Sequence, residues 1–262
     1  CRGRSRPCAS ASPASSRAIC HAVRAAAERT EASGVFSNTV ELDISLQIIA
    51  RDASAKYAND HMKNAERFND RDTMLKSAVE KTSSIRGCIC EFGVYSGNSL
   101  NVIAASAPNK KVYGFDSFEG LPTDWRPGFS KGAFKTGLPE FQHSNVHLKA
   151  GWFDATLPKF LKTLDEPISM AHIDCDLYSS TKCVLESISR HLAPGAILVF
   201  DEYFNYPSWE EHEHRALQES VASGLFKHEY LGYNVHGQQV MVGVNTFDGS
   251  AEEPFATNDE PS

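Results

Sequence analysis

Between residues 85 and 245 the chain alternates short apolar segments, each about as long as a β-strand, with segments whose apolar residues recur at helical spacing. This alternation is typical of βαβ units, in which successive strands lie parallel in one sheet with helices on its faces. The last two apolar segments are separated only by a turn around residues 235–237, so they are expected to pair with each other antiparallel. The pattern predicts a doubly wound α/β fold.

Seven strands are predicted in this region. We place them at Ile85–Phe92, Lys111–Asp116, Val146–Ala150, Ile168–Asp174, Ala196–Phe200, Lys227–Leu231 and Gln239–Val244. The expected sheet is therefore Rossmann-like, doubly wound, mostly parallel and seven-stranded, with an antiparallel terminal strand. Residues 40–83, ahead of the first strand, show helical patterns that could cover an edge of the sheet or form a lid.

The two ends of the chain differ in composition from this middle part. Residues 1–27 contain five arginines and no acid, and they are rich in alanine and serine. Residues 246–262 contain five acids and no base. Such segments cannot bury enough apolar surface to fold alone. We therefore expect residues 1–35 to be disordered or non-native, residues 36–245 to form the folded domain, and residues 246–262 to form a disordered acidic tail.

Charge and hydropathy disfavour two classes of partner. The formal net charge of −7 disfavours nucleic acid, because phosphate backbones require a basic face. No apolar run approaches the roughly 18 residues that a membrane span needs. Cys88, Cys90, Cys175 and Cys183 lie in or beside apolar segments, where free cysteine packs as a small hydrophobe. We expect a reducing, cytoplasmic location, with an organelle transit peptide at the Arg- and Ser-rich start as the alternative.

A glycine-containing loop follows the first predicted strand, in the run EFGVYSGNS. Gly93 and Gly97 allow the backbone to turn sharply and to approach a ligand closely. The run lacks the third glycine of the dinucleotide motif G-x-G-x-x-G. The acid that opens it, Glu91, suits a ligand with a cationic end rather than a diphosphate. A tight strand-to-helix turn without a ligand accounts for the loop about equally well.

Acidic residues end three of the predicted strands. Asp116 ends the second, where Rossmann-type proteins hold ribose hydroxyls. Asp174 and Asp176 alternate at the end of the fourth, so they are expected to share a face roughly 6–7 Å apart. Asp201 and Glu202 follow the fifth. Converging carboxylates repel unless they are protonated or a cation neutralises them, and such oxygen-only ligands suit Mg²⁺. The alternative is that each acid caps the helix that follows it.

The runs EFGVYSGNS, GFDSFEGLP, HIDCDLYSSTKCVLE and VFDEYF, in this order and spacing, resemble the macrocin O-methyltransferase (TylF/MycF-like) family. Its members are class I, metal-dependent methyltransferases that use S-adenosylmethionine and act mainly on sugar hydroxyls of natural products. The resemblance extends over about residues 70–245. It implies methylation of a hydroxyl of a small molecule, above all a sugar or a glycosylated natural product.

The resemblance also implies a role for each matching residue. The residues implied to contact S-adenosylmethionine are Glu91, Gly93, Tyr95, Ser96 and Gly97 at its amino-acid end, Asp116 and Ser117 at its ribose, and Gly151, Trp152 and Phe153 at its adenine. Ser99 and Asp174 are also implied to bind the cofactor. The implied Mg²⁺ ligands are Asp174, Asp201 and Glu202, with Asp176 as the general base. Members of the family usually carry Asp-Asp where this chain has Asp201-Glu202, and glutamate is longer by one methylene, which shifts the expected position of the metal.

Other functions stay open at this point. A catechol- or phenol-type methyltransferase is the nearest alternative, followed by a nicotinamide-dependent oxidoreductase and a non-catalytic binding module on the same fold. The missing third glycine disfavours the oxidoreductase, and the four clustered acids disfavour the non-catalytic module. The expected partner is a small-molecule acceptor, with no nucleic acid and no membrane; a homo-oligomer stays open.

Three further features are interpreted without a catalytic role. The run Glu210–His214 follows a proline where a helix is expected to begin, and it is interpreted as a solvated first turn. His172 is interpreted as a core histidine, with a supporting contact near Asp174 as the alternative. Residues 124–142 form a long connection with several aromatic residues, expected to be an acceptor-binding lid or an exposed loop.

Overall fold

The computed structural model describes residues 37–245. The predictions for residues 1–35 and 246–262 lie outside these residues. The elements follow in the order α1 (Ser37–His61), β1 (Glu66–Phe68), α2 (Arg71–Lys81), β2 (Cys88–Phe92), α3 (Asn98–Ser106), β3 (Val112–Asp116), β4 (Val146–Ala150), α4 (Phe153–Leu161), β5 (Ile168–Ile173), α5 (Tyr178–Ile188), β6 (Leu192–Phe200), α6 (Glu213–Ala222), β7 (Lys227–Asn234) and β8 (Val240–Asn245). Short 3₁₀ turns occupy Ser189–His191 and Trp209–Glu211.

One sheet contains all eight of these strands, in the order β1-β7-β8-β6-β5-β2-β3-β4. Strand β8 runs antiparallel to both of its neighbours, β6 and β7, whereas the other pairs are parallel. The Rossmann-like, mostly parallel class and the antiparallel terminal strand are therefore confirmed.

The predicted number of strands was wrong by one. The additional strand, β1, contains only three residues and pairs parallel with β7. It lies within the segment expected to be helical. Three residues are too few to show the two-residue periodicity by which strands are recognised, so its pairing with β7 is the signal that defines it.

Strands β2 and β5 form the buried centre of the sheet, and every residue in both is buried. Helices on the two faces cause this burial, as is usual for parallel sheets. The free cysteines Cys88 and Cys90 pack there as predicted. Two charged residues, Glu91 and His172, share this apolar centre, and both are fully buried. Burial of charged groups in such a place requires compensating partners.

The order of the strands reverses at β2, which lies between β3 and β5. In doubly wound sheets the crevice at this reversal, beyond the carboxyl ends of the strands, is the usual ligand-binding position. The sequence places its glycine loop and its acids at these ends. Within the part of the chain that the structure describes, no helix is both long and apolar enough to cross a membrane.

Candidate active site

The loop between β2 and α3 has a backbone shape that depends on glycine. Gly93 has a φ of 97°, and a Cβ atom there would lie 1.7 Å from the carbonyl oxygen of Asp174. Gly97 has a φ of 80° immediately before α3, and a Cβ atom there would lie 2.6 Å from the ring of Phe141. Larger residues at either position would therefore displace the loop. The loop passes directly against the end of β5.

Asp116, at the end of β3, holds this loop through backbone N–H groups. Its Oδ2 accepts hydrogen bonds from the amides of Val94 (2.8 Å) and Tyr95 (2.7 Å). Its Oδ1 accepts one from the amide of Phe118 (2.7 Å). A carboxylate offers about four lone-pair positions, so three amides leave one direction for a further donor such as a ribose hydroxyl. Asp116 therefore braces the loop and can still accept from a ligand.

The other residues predicted around the loop divide into accessible and buried ones. The side chains of Tyr95 and Ser96 are exposed at the loop. Ser99 is buried within the first turn of α3. The hydroxyl of Ser117 accepts from the amide of Glu119 (3.1 Å), which stabilises the turn after β3. Tyr95 and Ser96 are thus free to contact a ligand, whereas the other two serines shape the backbone.

The end of β4 adjoins that of β3. The amide of Gly151 donates to the carbonyl oxygen of Asp116 (2.8 Å). The ring of Phe153 packs edge-on against Phe92, with 5.9 Å between centroids, whereas the side chain of Trp152 is 39% exposed. The structure therefore brings this predicted adenine-bordering group beside Asp116, with an indole ring accessible from the crevice.

A chain of buried polar groups crosses the sheet beneath the crevice. The Nδ1 atom of His172 lies 2.8 Å from Oε1 of Glu91, and its Nε2 atom lies 3.4 Å from Oδ1 of Asp201. The second contact is not a well-aligned hydrogen bond. Burial alone lowers the pKa of an imidazole, but Asp201 and Glu91 outweigh this effect and raise the pKa of His172 to about 10. His172 is therefore a cation between two carboxylates.

Arg71, the first residue of α2, is the second cation of this group. Its Nη1 atom lies 3.5 Å from Oδ2 of Asp201 and 3.8 Å from Oδ2 of Asp174. Burial raises the pKa of the Asp201 carboxyl, but the charge of Arg71 and the contact with His172 outweigh it and hold the pKa at about 2. Asp201 is therefore ionised and neutralised by protein cations on both sides.

The acids after β5 approach each other differently from the prediction. Strand β5 ends at Ile173, so Asp174 and Asp176 do not alternate along a strand. Asp176 adopts a left-handed backbone with a φ of 61° in the turn that follows the strand. Carboxylate oxygens of Asp174, Asp176 and Glu202 consequently lie within 4.8 Å of one another. The expectation that both residues lie on the strand was wrong.

The predicted metal ligands are divided between two groups. Asp174 belongs to both: one group adds His172 and Asp201, and the other adds Asp176 and Glu202. In the first group, positive charge is already supplied by His172 itself and by the adjacent Arg71. The set of Asp174, Asp201 and Glu202 therefore stays a prediction, and the geometry gathers a different trio of carboxylates.

The second group has the properties of a cation site. Burial and the neighbouring acids raise the pKa of Glu202 well above its usual range, and burial likewise raises that of Asp174. Burial also raises the pKa of Asp176, to about 7, although Arg126 opposes this shift. The Oε2 atom of Glu202 is buried without a hydrogen-bond partner. A hard divalent cation with oxygen ligands would relieve this repulsion and satisfy that atom, so these residues fit Mg²⁺.

A fifth acid, Glu213, adjoins this group and was missed by the sequence analysis. Its side chain is fully buried, and its Oε2 accepts a hydrogen bond from the amide of Glu202 (3.0 Å). Glu213 begins α6, within the run interpreted as a solvated first turn; for this residue that interpretation was wrong. Its contact fixes the backbone that carries Glu202, and no local sequence signal separates it from its exposed neighbours Glu210 and Glu211.

The connection between β3 and β4 lines the crevice with aromatic rings. Tyr95 of the glycine loop packs against Phe134 at 5.7 Å, and Phe134 stacks on Phe129 at 5.4 Å between centroids. Trp125 then contacts Phe129 at 5.3 Å and Tyr206 at 6.2 Å. These five rings, the aromatic wall, extend from the glycine loop to the segment after β6.

Arg126 lies against this aromatic wall. Its guanidinium carbon is 3.9 Å from the ring centroid of Trp125 and 4.6 Å from that of Tyr206. Its positive charge opposes the rise that burial causes in the pKa of Asp176. Arg126, like Arg71, carries no motif that would reveal it, because contacts between segments distant in sequence bring both to the crevice.

The chain has recognisable relatives. The family model of a methyltransferase domain matches residues 90–203. The 8-demethyl-8-(2,3-dimethoxy-alpha-L-rhamnosyl)-tetracenomycin-C 4'-O-methyltransferase of Streptomyces olivaceus is 26% identical over 143 residues, which cover 45% of this chain and 54% of that protein. The match thus spans about half the length of this curated relative.

Solved structures share the fold. The O-methyltransferase NovP is 20% identical, with 67% of this chain and 80% of that chain covered and a TM-score of 0.54. The calicheamicin methyltransferase CalS11 is 19% identical, with 92% and 98% covered and a TM-score of 0.55. At these identities the likeness shows the fold, which is that of Rossmann-like methyltransferases.

The buried contacts of His172 with Glu91 and Asp201 predict that replacing His172 strongly lowers the stability of the fold. Replacing His172 by Leu leaves Glu91 and Asp201 buried without their shared partner, so we expect the free energy of unfolding to fall by about 3 kcal/mol or more. Urea denaturation of the wild type and the variant measures this difference. His147→Leu, at an exposed position of β4, is the matched control. A decrease in the free energy of unfolding of less than about 1 kcal/mol for His172→Leu would contradict the assignment of His172 as a buried cation between two carboxylates.

Proposed function

We propose that the domain of residues 36–245 binds S-adenosylmethionine and transfers its methyl group to a hydroxyl of a small molecule, a sugar or a glycosylated natural product. The observation that carries the proposal is the glycine loop braced by Asp116 at the strand-order reversal. The methyltransferase family model that matches residues 90–203 supports it. The relative from Streptomyces olivaceus, named for an O-methylation in a rhamnosylated compound, supports a sugar acceptor.

The cofactor is assigned to the crevice between the ends of β2, β3 and β4. The loop from Gly93 to Gly97 approaches the ligand through its backbone, and Asp116 accepts from the ribose. Trp152 offers an accessible indole ring for the adenine. Glu91 is fully buried against His172, so its role toward the cationic amino-acid end is electrostatic, at a distance from the ligand.

The acceptor is assigned to the adjoining acidic group. Asp174 and Glu202 are the residues that would hold Mg²⁺, with Asp201 beside them and the carboxylate of Asp176 facing the ion. The chemistry supplied by the ion, when bound, is a lower pKa of a coordinated hydroxyl. Asp176 takes the proton of that hydroxyl as general base, because its carboxylate lies with those of Asp174 and Glu202. The protein itself contributes position, charge and exclusion of water.

The aromatic wall defines the side of the crevice on which the acceptor binds. Its rings connect the cofactor loop with the segment that follows β6, so they border both proposed subsites. Flat apolar surfaces of this kind suit the apolar face of a sugar or an attached ring system. Arg126 adds hydrogen-bond donors against the rings of Trp125 and Tyr206, which suits an acceptor rich in oxygen.

The cofactor assignment predicts the result of a calorimetric titration with S-adenosylmethionine. We expect the wild type to bind, and Asp116→Asn to bind at least tenfold more weakly. The substitution removes the carboxylate that accepts from two amides of the loop, and it removes the proposed acceptor for the ribose hydroxyl. Asp165→Asn is the control, since Asp165 precedes β5 and therefore lies at the amino end of this strand, away from the carboxyl ends that form the crevice. Failure of the wild type to bind would remove the proposed function.

The base assignment predicts a loss of turnover without a loss of cofactor binding. Asp176→Asn is expected to slow methyl transfer by roughly a hundredfold or more, because general bases contribute on this scale. Transfer of radiolabelled methyl groups to a panel of rhamnosylated acceptors measures the rate. Glu186→Gln, at an exposed position of α5, is the control. An Asp176→Asn rate equal to the wild-type rate would exclude this role.

A further inference from the structure

We propose that Arg71 is a built-in counter-ion of the acidic crevice, and that a divalent cation bound there competes with it for Asp174. The inference rests on the metal site of the proposed function and concerns how tightly that site holds its ion. It assigns Arg71 a positioning role that no sequence motif indicates.

The contacts of Arg71 place its charge where a cation is required. One nitrogen, Nη1, is 3.5 Å from a carboxylate oxygen of Asp201 and 3.8 Å from one of Asp174. The same Asp174 supplies an oxygen to the trio with Asp176 and Glu202, whose ligand atoms lie within 4.8 Å. A guanidinium and a divalent cation would thus draw on the charge of one carboxylate.

The helix dipole alone does not favour a cation in the first turn of α2. Asp70 caps the first turn of α2 by accepting from the amide of Thr73 (2.8 Å), which fixes Arg71 in that turn. The first turn of a helix is the positive end of its dipole and disfavours a cation. The carboxylates of Asp174 and Asp201, together with that of Asp72 at 3.9 Å from Nε, compensate for this unfavourable position. Arg71 therefore owes its arrangement to the acids.

Competition follows from the charges and from the exposure of Arg71. Asp201 is already balanced, because Arg71 lies 3.5 Å from it and His172 lies between it and Glu91. An ion held by Asp174 and Glu202 would be repelled by the guanidinium next to Asp174. The side chain of Arg71 is 21% exposed, so it has a route toward solvent. Binding of the ion therefore includes the free energy of displacing Arg71.

The direct test is a calorimetric titration with Mn²⁺ near neutral pH, in the absence of S-adenosylmethionine. Arg71→Met removes the charge and keeps much of the side-chain volume, and we expect it to bind Mn²⁺ at least tenfold more tightly than the wild type. Arg71→Lys keeps the charge and is expected to stay within about threefold of the wild type. Lys81→Met removes a charge at the other end of α2, where Lys81 pairs with Glu66 at 3.3 Å, and is expected to change nothing.

Equal or weaker Mn²⁺ binding by Arg71→Met would overturn the proposal, and so would the absence of binding in both proteins. Glu202→Gln should weaken Mn²⁺ binding both in the wild type and in Arg71→Met, which would show that the titrated ion binds in this crevice. Because the titration omits the cofactor, a failure to bind S-adenosylmethionine would remove the methyltransferase function and leave the Mn²⁺ result standing.

A second measurement uses the wild type and does not depend on the folding of a variant. The Nε–H group of Arg71 gives an NMR signal that Arg71→Lys identifies by its absence. We expect titration with Mg²⁺, which is diamagnetic, to shift this signal in step with occupancy of the site. A signal that stays in place while Mg²⁺ binds would show that the ion does not displace Arg71.

Discussion

The burial of His172 between Glu91 and Asp201 is the constraint on which the rest of the crevice depends. These residues join the carboxyl ends of β2, β5 and β6 at the centre of the sheet, where charged groups lose their hydration. Removing charges from water costs several kcal/mol for each ion unless partners compensate. The imidazolium therefore fixes the relative positions of these strand ends, and through them the glycine loop after β2.

Two compartments of different electrostatic character result from this constraint. In the first, the cations Arg71 and His172 balance Asp201, so the protein itself neutralises the acid. In the second, Asp174, Asp176 and Glu202 face one another with too little positive charge nearby. This deficit gives the crevice its proposed affinity for an ion and for a hydroxyl acceptor. Asp174 borders both compartments, which couples the state of Arg71 to the occupancy of the proposed metal site.

Much of this arrangement follows from the sequence, because the carboxyl ends of parallel strands meet at one edge. The rule brought together Asp116, Asp174 and Asp201 from segments far apart in the chain. It could not place Asp176, whose left-handed backbone depends on the turn after β5. The same rule does not predict the position of Arg71, because Arg71 is the first residue of a helix and reaches the crevice through tertiary contacts.

Burial was the other quantity that local patterns did not provide. Glu213 lies in an acidic run in which its neighbours Glu210 and Glu211 are exposed, yet it alone of the three turns inward to the amide of Glu202. Similarly, His172 was interpreted as a core histidine, and it is one by position, but its two carboxylate partners make it a structural cation. Periodicity indicates which face a residue occupies, whereas partners from other strands determine its charge state.

The most direct test of the divided crevice is a crystal structure with S-adenosylhomocysteine and Mn²⁺, in which anomalous scattering locates the ion. We expect S-adenosylhomocysteine against the loop from Gly93 to Gly97, and Mn²⁺ ligated by Asp174 and Glu202 with Arg71 withdrawn from Asp174. Mn²⁺ bound elsewhere, or bound at this position with the contacts of Arg71 unchanged, would contradict it.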